Sequence, residues 1–198
     1  MSLVVDPNPK ELSLGELKSL VSARGEAALQ RLYGEAPVLV IRLQEHDEQA
    51  VFNTPLGTHK GDLSDTDPPT MAVIENTTVR VESGLRAIVT STRSRIVPVL
   101  KSERNPFAGL VTIGRARNND VRLKSSQVSK MHGWLANAGE QWKLKDHNST
   151  NGTFHNGERL ERGAEVELQS GDELGFGDVV ALFLDSAGLQ ALCGMVGD

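Results

Sequence analysis

The sequence is short of the residues that define several kinds of protein. It has one cysteine, Cys193, which excludes an internal disulfide framework and a cysteine-rich zinc site. A reducing cytoplasm is the expected compartment. Aromatics are 4 % of the 198 residues, so the core must be built from Leu, Val, Ile and Ala. No apolar run nears the ~20 residues of a membrane helix. The opening MSLVVDPNPK has neither the basic start nor the apolar stretch of a secretory signal. Positive charge is not in excess: 21 Lys and Arg stand against 26 Asp and Glu, net −5. No overall field therefore favours nucleic acid, and neither nucleic acid nor membrane is an expected partner. What remains is ample for a core: 38 % of residues are hydrophobic and 24 % charged, which excludes wholesale disorder. The length suits one large domain or two small ones.

Along the chain, Leu12–Tyr33 reads as one amphipathic helix, its apolar residues spaced by mostly three and four. Ser13 suits the N-cap and Glu16 its capping-box partner, while Gly25 weakens the middle and Gly34 and Pro37 end it. Pro37–Leu43 is a short β-branched run and predicts a strand. Residues 44–70 turn polar and read as a long mobile loop. Met71–Ile74, Thr78–Val81 and Leu85–Thr92 read as further strands. From Arg95 the rhythm changes to short strands at 95–100, 110–115, 120–123, 132–137, 141–146, 153–157, 165–169, 172–177 and 179–184, mostly parted by glycine or polar turns. That spacing predicts an all-β sandwich, closed by a short helix over Asp185–Met195. The domains are thus a 1–94 α+β accessory region and a 95–198 β unit. Whether the first extends the sandwich or stands alone as a small α+β unit is left open by the pattern.

Charge is unevenly placed. Lys101–Lys130 holds seven basic and two acidic residues, whereas Glu158–Asp185 holds two basic and eight acidic. If these segments lie apart in space, one end of the β unit attracts anions.

Several small motifs fall in order within the β region. Gly114-Arg115 closes a strand, Ser129-Lys130-Met131-His132 enters another, Thr150-Asn151-Gly152-Thr153 precedes the next, and Asn156-Gly157 follows it. Singly, each reads as a strand end or a turn. Together, GRARNNDVRLKSSQVSKMHGWL, LKDHNSTNGTFHNGERL and LQSGDELGFG resemble the forkhead-associated (FHA) domain, a phosphothreonine-binding β-sandwich. The resemblance covers about Arg95–Asp185 and implies two packed, largely antiparallel sheets with peptide-binding loops at one end. It looks like the stand-alone bacterial type, an adaptor reading phosphothreonine made by a separate Ser/Thr kinase.

The resemblance assigns the phosphate to Arg115 and Ser129 and the peptide backbone to Asn151, with support from Lys130 and Thr150. The chemistry suits these roles. A phosphothreonine carries about −1.5 to −2 charge, a guanidinium offers it a rigid fork of donors, and a hydroxyl adds one directional bond. Gly114 and Gly152 would permit tight backbone turns. His132 is implied to be structural, tying the loops through its ring nitrogens. Gln127, Gly133, His155 and Asn156 are candidates for reading residues beside the phosphothreonine. Lys130 stands where Arg is common in the family, Gly133 where a small residue such as Ala is usual, and Gln127 where some members have Arg.

Other readings are open to the same residues. Ser129, His132 and Asp146 could be taken for a hydrolytic triad, but no G-x-S-x-G elbow is present. Glu45-His46-Asp47-Glu48 reads as a solvated loop, not a metal cluster, because no second half matches it. No cofactor motif is present, and no enzyme activity is expected. Arg117, Arg122 and Lys124 read as solvated charges, and His147 as an exposed turn residue. A sandwich of this kind could also hold partners through a sheet face, independently of phosphate. Thr66 and Thr70, in the acidic segment SDTDPPT, could place a phosphate in the site from within the chain.

Overall fold

The computed structural model describes residues 11–42, 94–139 and 141–195. The strands read at 71–92, the loop at 44–70 and the Glu45–Glu48 cluster lie outside the described residues.

Two sheets pack face to face. The first has seven strands: β1 (Leu12–Ser13), β2 (Val38–Ile41), β3 (Arg95–Pro98), β8 (Thr153–His155), β9 (Glu158–Arg159), β11 (Glu173–Phe176) and β12 (Val179–Leu184), in the order β1-β3-β2-β12-β11-β8-β9. The second has five: β4 (Leu110–Gly114), β5 (Val121–Arg122), β6 (Gly133–Ala138), β7 (Gln141–Asp146) and β10 (Glu165–Leu168), in the order β10-β7-β6-β4-β5. All pairs are antiparallel except β4 with β5. The protein is a mainly-β sandwich with an N-terminal α+β portion and a short C-terminal helix, as the strand rhythm predicts.

The helices are α1 (Leu14–Arg24), α2 (Ala27–Tyr33) and α3 (Ser186–Met195). The expected single helix over 12–33 is two. Gly25 sits at φ 69°, and its N–H bonds to Val21 O at 2.7 Å, which closes α1. Its first residues, Leu12 and Ser13, pair with β3 instead. The capping box forms as the sequence predicts: Glu16 N–H donates to Ser13 Oγ, and the Glu16 carboxylate accepts from Ser13 N–H.

Alternation explains why β2 and β12 are apolar throughout. Leu39 and Ile41 of β2, and Ala181 and Phe183 of β12, face the second sheet and meet Val111, Ile113, Leu135 and Leu144. Val38, Val40, Leu182 and Leu184 point the other way, under Leu14, Leu17, Leu29, Tyr33, Leu189 and Leu192 of the helices. Strands buried on both faces have no polar alternation to show. β2 lies between β3 and β12, bonded to both. The segment before residue 95 therefore supplies an interior strand and two covering helices to the sandwich.

Candidate phosphopeptide-binding site

The loops after β4, before β6 and before β8 meet at one end of the sandwich. Gly114 ends β4 under tight constraint. A Cβ there would lie 2.5 Å from Lys130 O and 3.0 Å from His132 N. The next two residues bind the facing loop through main chain: Arg115 N–H to Ser129 O at 2.9 Å and Ala116 N–H to Lys130 O at 3.0 Å. Buried Asn119 adds a side-chain clamp, its amide donating to Lys130 O at 2.7 Å and Ala116 O at 3.0 Å.

His132 is fully buried and joins the other two loops. Ser129 N–H donates to Nδ1 at 3.2 Å, so the ring proton sits on Nε2, which donates to Gly152 O at 3.1 Å. Burial, first, holds the imidazole pKa below its ordinary value, and the Gly152 bond and the Asp146 charge oppose this only in part. Asp146 is buried beside it. Burial works against its charge, but bonds from Ser149 and Thr153 outweigh that and keep the carboxyl below its usual range. These groups do not form a triad. Both imidazole nitrogens are occupied, and neither contacts Ser129 Oγ.

The result is a cavity of about 380 Å³ lined by Arg115, Gln127, Val128, Ser129, Lys130, Thr150 and Asn151, among others. Its lining carries two cations and no carboxylate. Arg115 is exposed and fixed by one bond, Nε to Val128 O at 3.1 Å, which leaves the guanidinium fork unspent. Thr150 N–H donates to Ser129 Oγ at 3.1 Å. That bond occupies a lone pair and leaves the hydroxyl proton, whose Thr150 Oγ1 contact is a long 3.4 Å, free to turn to a ligand. Asn151 Nδ2 donates to both Gln127 O and Gln127 Oε1, each at 2.8 Å.

The structure thus brings Arg115, Gln127, Ser129, Lys130, Thr150 and Asn151 together. It places the other three candidates elsewhere. Gly133 is buried on β6, where a Cβ would lie 2.5 Å from Lys145 O. His155 Nε2 meets Asp172 Oδ2 at 2.8 Å, and the Asn156 amide donates to Asp172 Oδ1 at 2.8 Å. His155 ends β8 and Asn156 begins the turn to β9, and neither lines the cavity. Gly152 has φ +89°, and a Cβ there would meet Arg159 Nε at 2.5 Å. Sequence reasoning missed Asn119, Asp146 and Ser149 as supports. The only signal for them was a polar residue at a loop end, which reads equally well as a solvated turn.

The charge split is also spatial. β5, with Arg122, and β10, with Glu165 and Glu167, are the two opposite edges of the five-stranded sheet. Lys143 offsets part of the acidic edge, 3.3 Å from Glu165 and 3.8 Å from Glu167. Among the described residues no group of His, Cys, Asp and Glu is arranged to hold a metal, and no helix is long and apolar enough to cross a membrane.

Residues 111–177 match the family model of the FHA domain, and over that stretch the chain is an FHA domain. A curated relative, the ABC transporter ATP-binding/permease protein Rv1747 of Mycobacterium tuberculosis, is 34 % identical over 77 residues, 39 % of this chain. The chain spans 9 % of that relative's length. Among solved structures, an FHA domain studied for phosphothreonine-dependent interactions is 29 % identical over 46 % of this chain and 83 % of its own, with a TM-score of 0.39. The FhaA FHA domain, solved in complex with the intracellular domain of Rv3910, is 32 % identical over 38 % of this chain and 79 % of its own, with a TM-score of 0.35.

Proposed function

We propose that the chain is a phosphothreonine-dependent interaction module, an adaptor whose partner is a protein phosphorylated by a separate Ser/Thr kinase. The carrying observation is the loop-end cavity. Arg115 and Lys130 face no carboxylate there, and Ser129 has its hydroxyl oriented by the Thr150 N–H, its proton held only by the long 3.4 Å contact to Thr150 Oγ1. A phosphate dianion supplies the missing negative charge and accepts from each group. Arg115 holds it through the fork, Ser129 through one bond, Lys130 as a point charge, and Asn151 takes the peptide main chain. Thr150 contributes through its main chain more than its hydroxyl.

Titration calorimetry with a degenerate phosphothreonine peptide library, beside phosphoserine and unphosphorylated controls, tests this. Selective binding at micromolar concentration, abolished in Arg115→Ala, is the expected result. Equal binding of phosphorylated and unphosphorylated peptides would overturn it.

A further inference from the structure

Asn151 has two amide hydrogens, and Gln127 takes both. The two acceptors differ in freedom. The main-chain oxygen of Gln127 is fixed from several sides. Its residue's N–H donates to Ser125 Oγ at 3.1 Å, and Ser125 Oγ donates to Asp178 at 2.6 Å. Gly177 approaches so closely that a Cβ there would lie 2.5 Å from that oxygen. The Gln127 side chain, by contrast, is exposed and turns about three torsions. One hydrogen of Asn151 is therefore spent on orientation, and the other is held by a movable group.

We infer that Gln127 Oε1 is a resident stand-in for the main-chain carbonyl of the ligand. A phosphothreonine peptide must displace it to reach Asn151, so the side chain at 127 sets affinity by competition rather than by touching the ligand. This deepens the reading of the cavity as a phosphothreonine site and rests on it. The acceptor chemistry supports the comparison: a carboxamide oxygen and a peptide carbonyl oxygen are the same functional group. Truncation at 127 leaves the orienting main-chain bond intact, because that oxygen belongs to the backbone.

The test is a double-mutant cycle read by calorimetry with one phosphothreonine peptide selected from the library. Gln127→Ala is expected to bind about three- to tenfold tighter, the span of one net hydrogen bond. Gln127→Glu is expected to bind at least about tenfold weaker, since a carboxylate holds the Asn151 amide harder and repels the phosphate. In an Asn151→Ala background the gain from Gln127→Ala should vanish. Gln127→Ala that binds the peptide equally or more weakly than wild type would overturn the inference while leaving the phosphothreonine site standing. A wild-type protein with no preference for the phosphorylated peptide would instead overturn the site reading. In the ligand-free protein, NMR temperature coefficients of the two Asn151 amide protons provide an independent check. Both should be small in wild type, and one should become solvent-like in Gln127→Ala. No change there would also overturn the inference.

Discussion

His132 Nε2 donates to Gly152 O at 3.1 Å, and through Nδ1 the same ring accepts from Ser129 N–H, so one buried imidazole holds the two loops that carry Ser129 and Asn151. The ring also meets Phe176 edge-on, with centroids 5.7 Å apart, which roots it in the core between the sheets.

That arrangement requires a neutral ring, and stability should therefore depend on pH. The pKa of His132 in the fold lies below the unfolded value of about 6.5. As pH falls, the unfolded chain takes up this proton first, so the contribution is fully present above about pH 7 and is lost as pH falls from about 6.5 towards the folded pKa. The carboxyls of Asp120, Asp146 and Asp172 are also lowered, but their contribution is lost only below about pH 4. Thermal unfolding midpoints from about pH 8 to 5 should fall with acid, and His132→Gln should flatten that slope while lowering the midpoint throughout. An unchanged slope in the variant would assign the effect to another group.

Ligand contacts at the cavity should separate cleanly from stability. Arg115 is exposed and makes one side-chain bond, so Arg115→Ala should shift the unfolding midpoint little and weaken phosphothreonine binding by more than about tenfold, the scale of a hydrogen bond to a charged group. Arg115→Lys should recover only part, because a point charge lacks the fork. Ser129→Ala should resemble Arg115→Ala. Thr150→Ala should cost less than about threefold, since the N–H that orients Ser129 Oγ remains. A Thr150→Ala loss as large as that of Ser129→Ala would show that the hydroxyl, not the main chain, carries the role.

Much of this was legible in the sequence, for a physical reason. Strands at 110–114, 141–146 and 179–184 stand between turn residues and match the expected runs within a residue. Arg115, Ser129 and Asn151 stand out through the ordered motifs that resemble the FHA domain, and the structure brings their loops to one cavity. The rest depends on long-range partners. Nothing in Val38–Ile41 says that it lies between β3 and β12, because an apolar run buried on both faces has no period to read. Leu12–Tyr33 has helical spacing across Gly25, so the glycine reads as a weak point, and only the backbone shows that it ends α1. His155 and Asn156 sit five residues or fewer from Asn151, yet they lie at the end of β8 and the start of the turn to β9, where both meet Asp172, distant in sequence.

Gly114 should be irreplaceable for packing rather than for its backbone angles. A Cβ would lie 2.5 Å from Lys130 O, 2.9 Å from Asn119 Nδ2 and 3.0 Å from His132 N. Two of the three are main-chain atoms in a loop already fixed by hydrogen bonds from Arg115 and Ala116, so the neighbour cannot yield cheaply. Gly114→Ala should cost about 1–3 kcal/mol or more by overpacking and weaken phosphopeptide binding with it, as Ser129 is carried on the displaced loop. Chemical denaturation and calorimetry on the same variant check both. A loss of stability without loss of affinity would show that the loops move as a unit.

On the helix-covered face of the seven-stranded sheet, Tyr33 of α2 is 2 % exposed, and its buried hydroxyl has no hydrogen-bond partner among the described residues. Burial, with the nearby Cys193 and Glu16 adding, pushes its pKa far above the ordinary tyrosine value, so the group stays neutral at any working pH. An unpaired buried hydroxyl costs about 1–3 kcal/mol in desolvation, and the ring itself packs with Leu14, Leu17 and Leu29. Tyr33→Phe removes the hydroxyl and keeps the ring, so it should stabilise the protein by up to about 1–2 kcal/mol. Tyr33→Leu, which loses ring contacts, should destabilise it. Urea unfolding of both variants decides the matter: a Phe variant less stable than wild type would mean that the hydroxyl has a partner, and the stabilising assignment would be withdrawn.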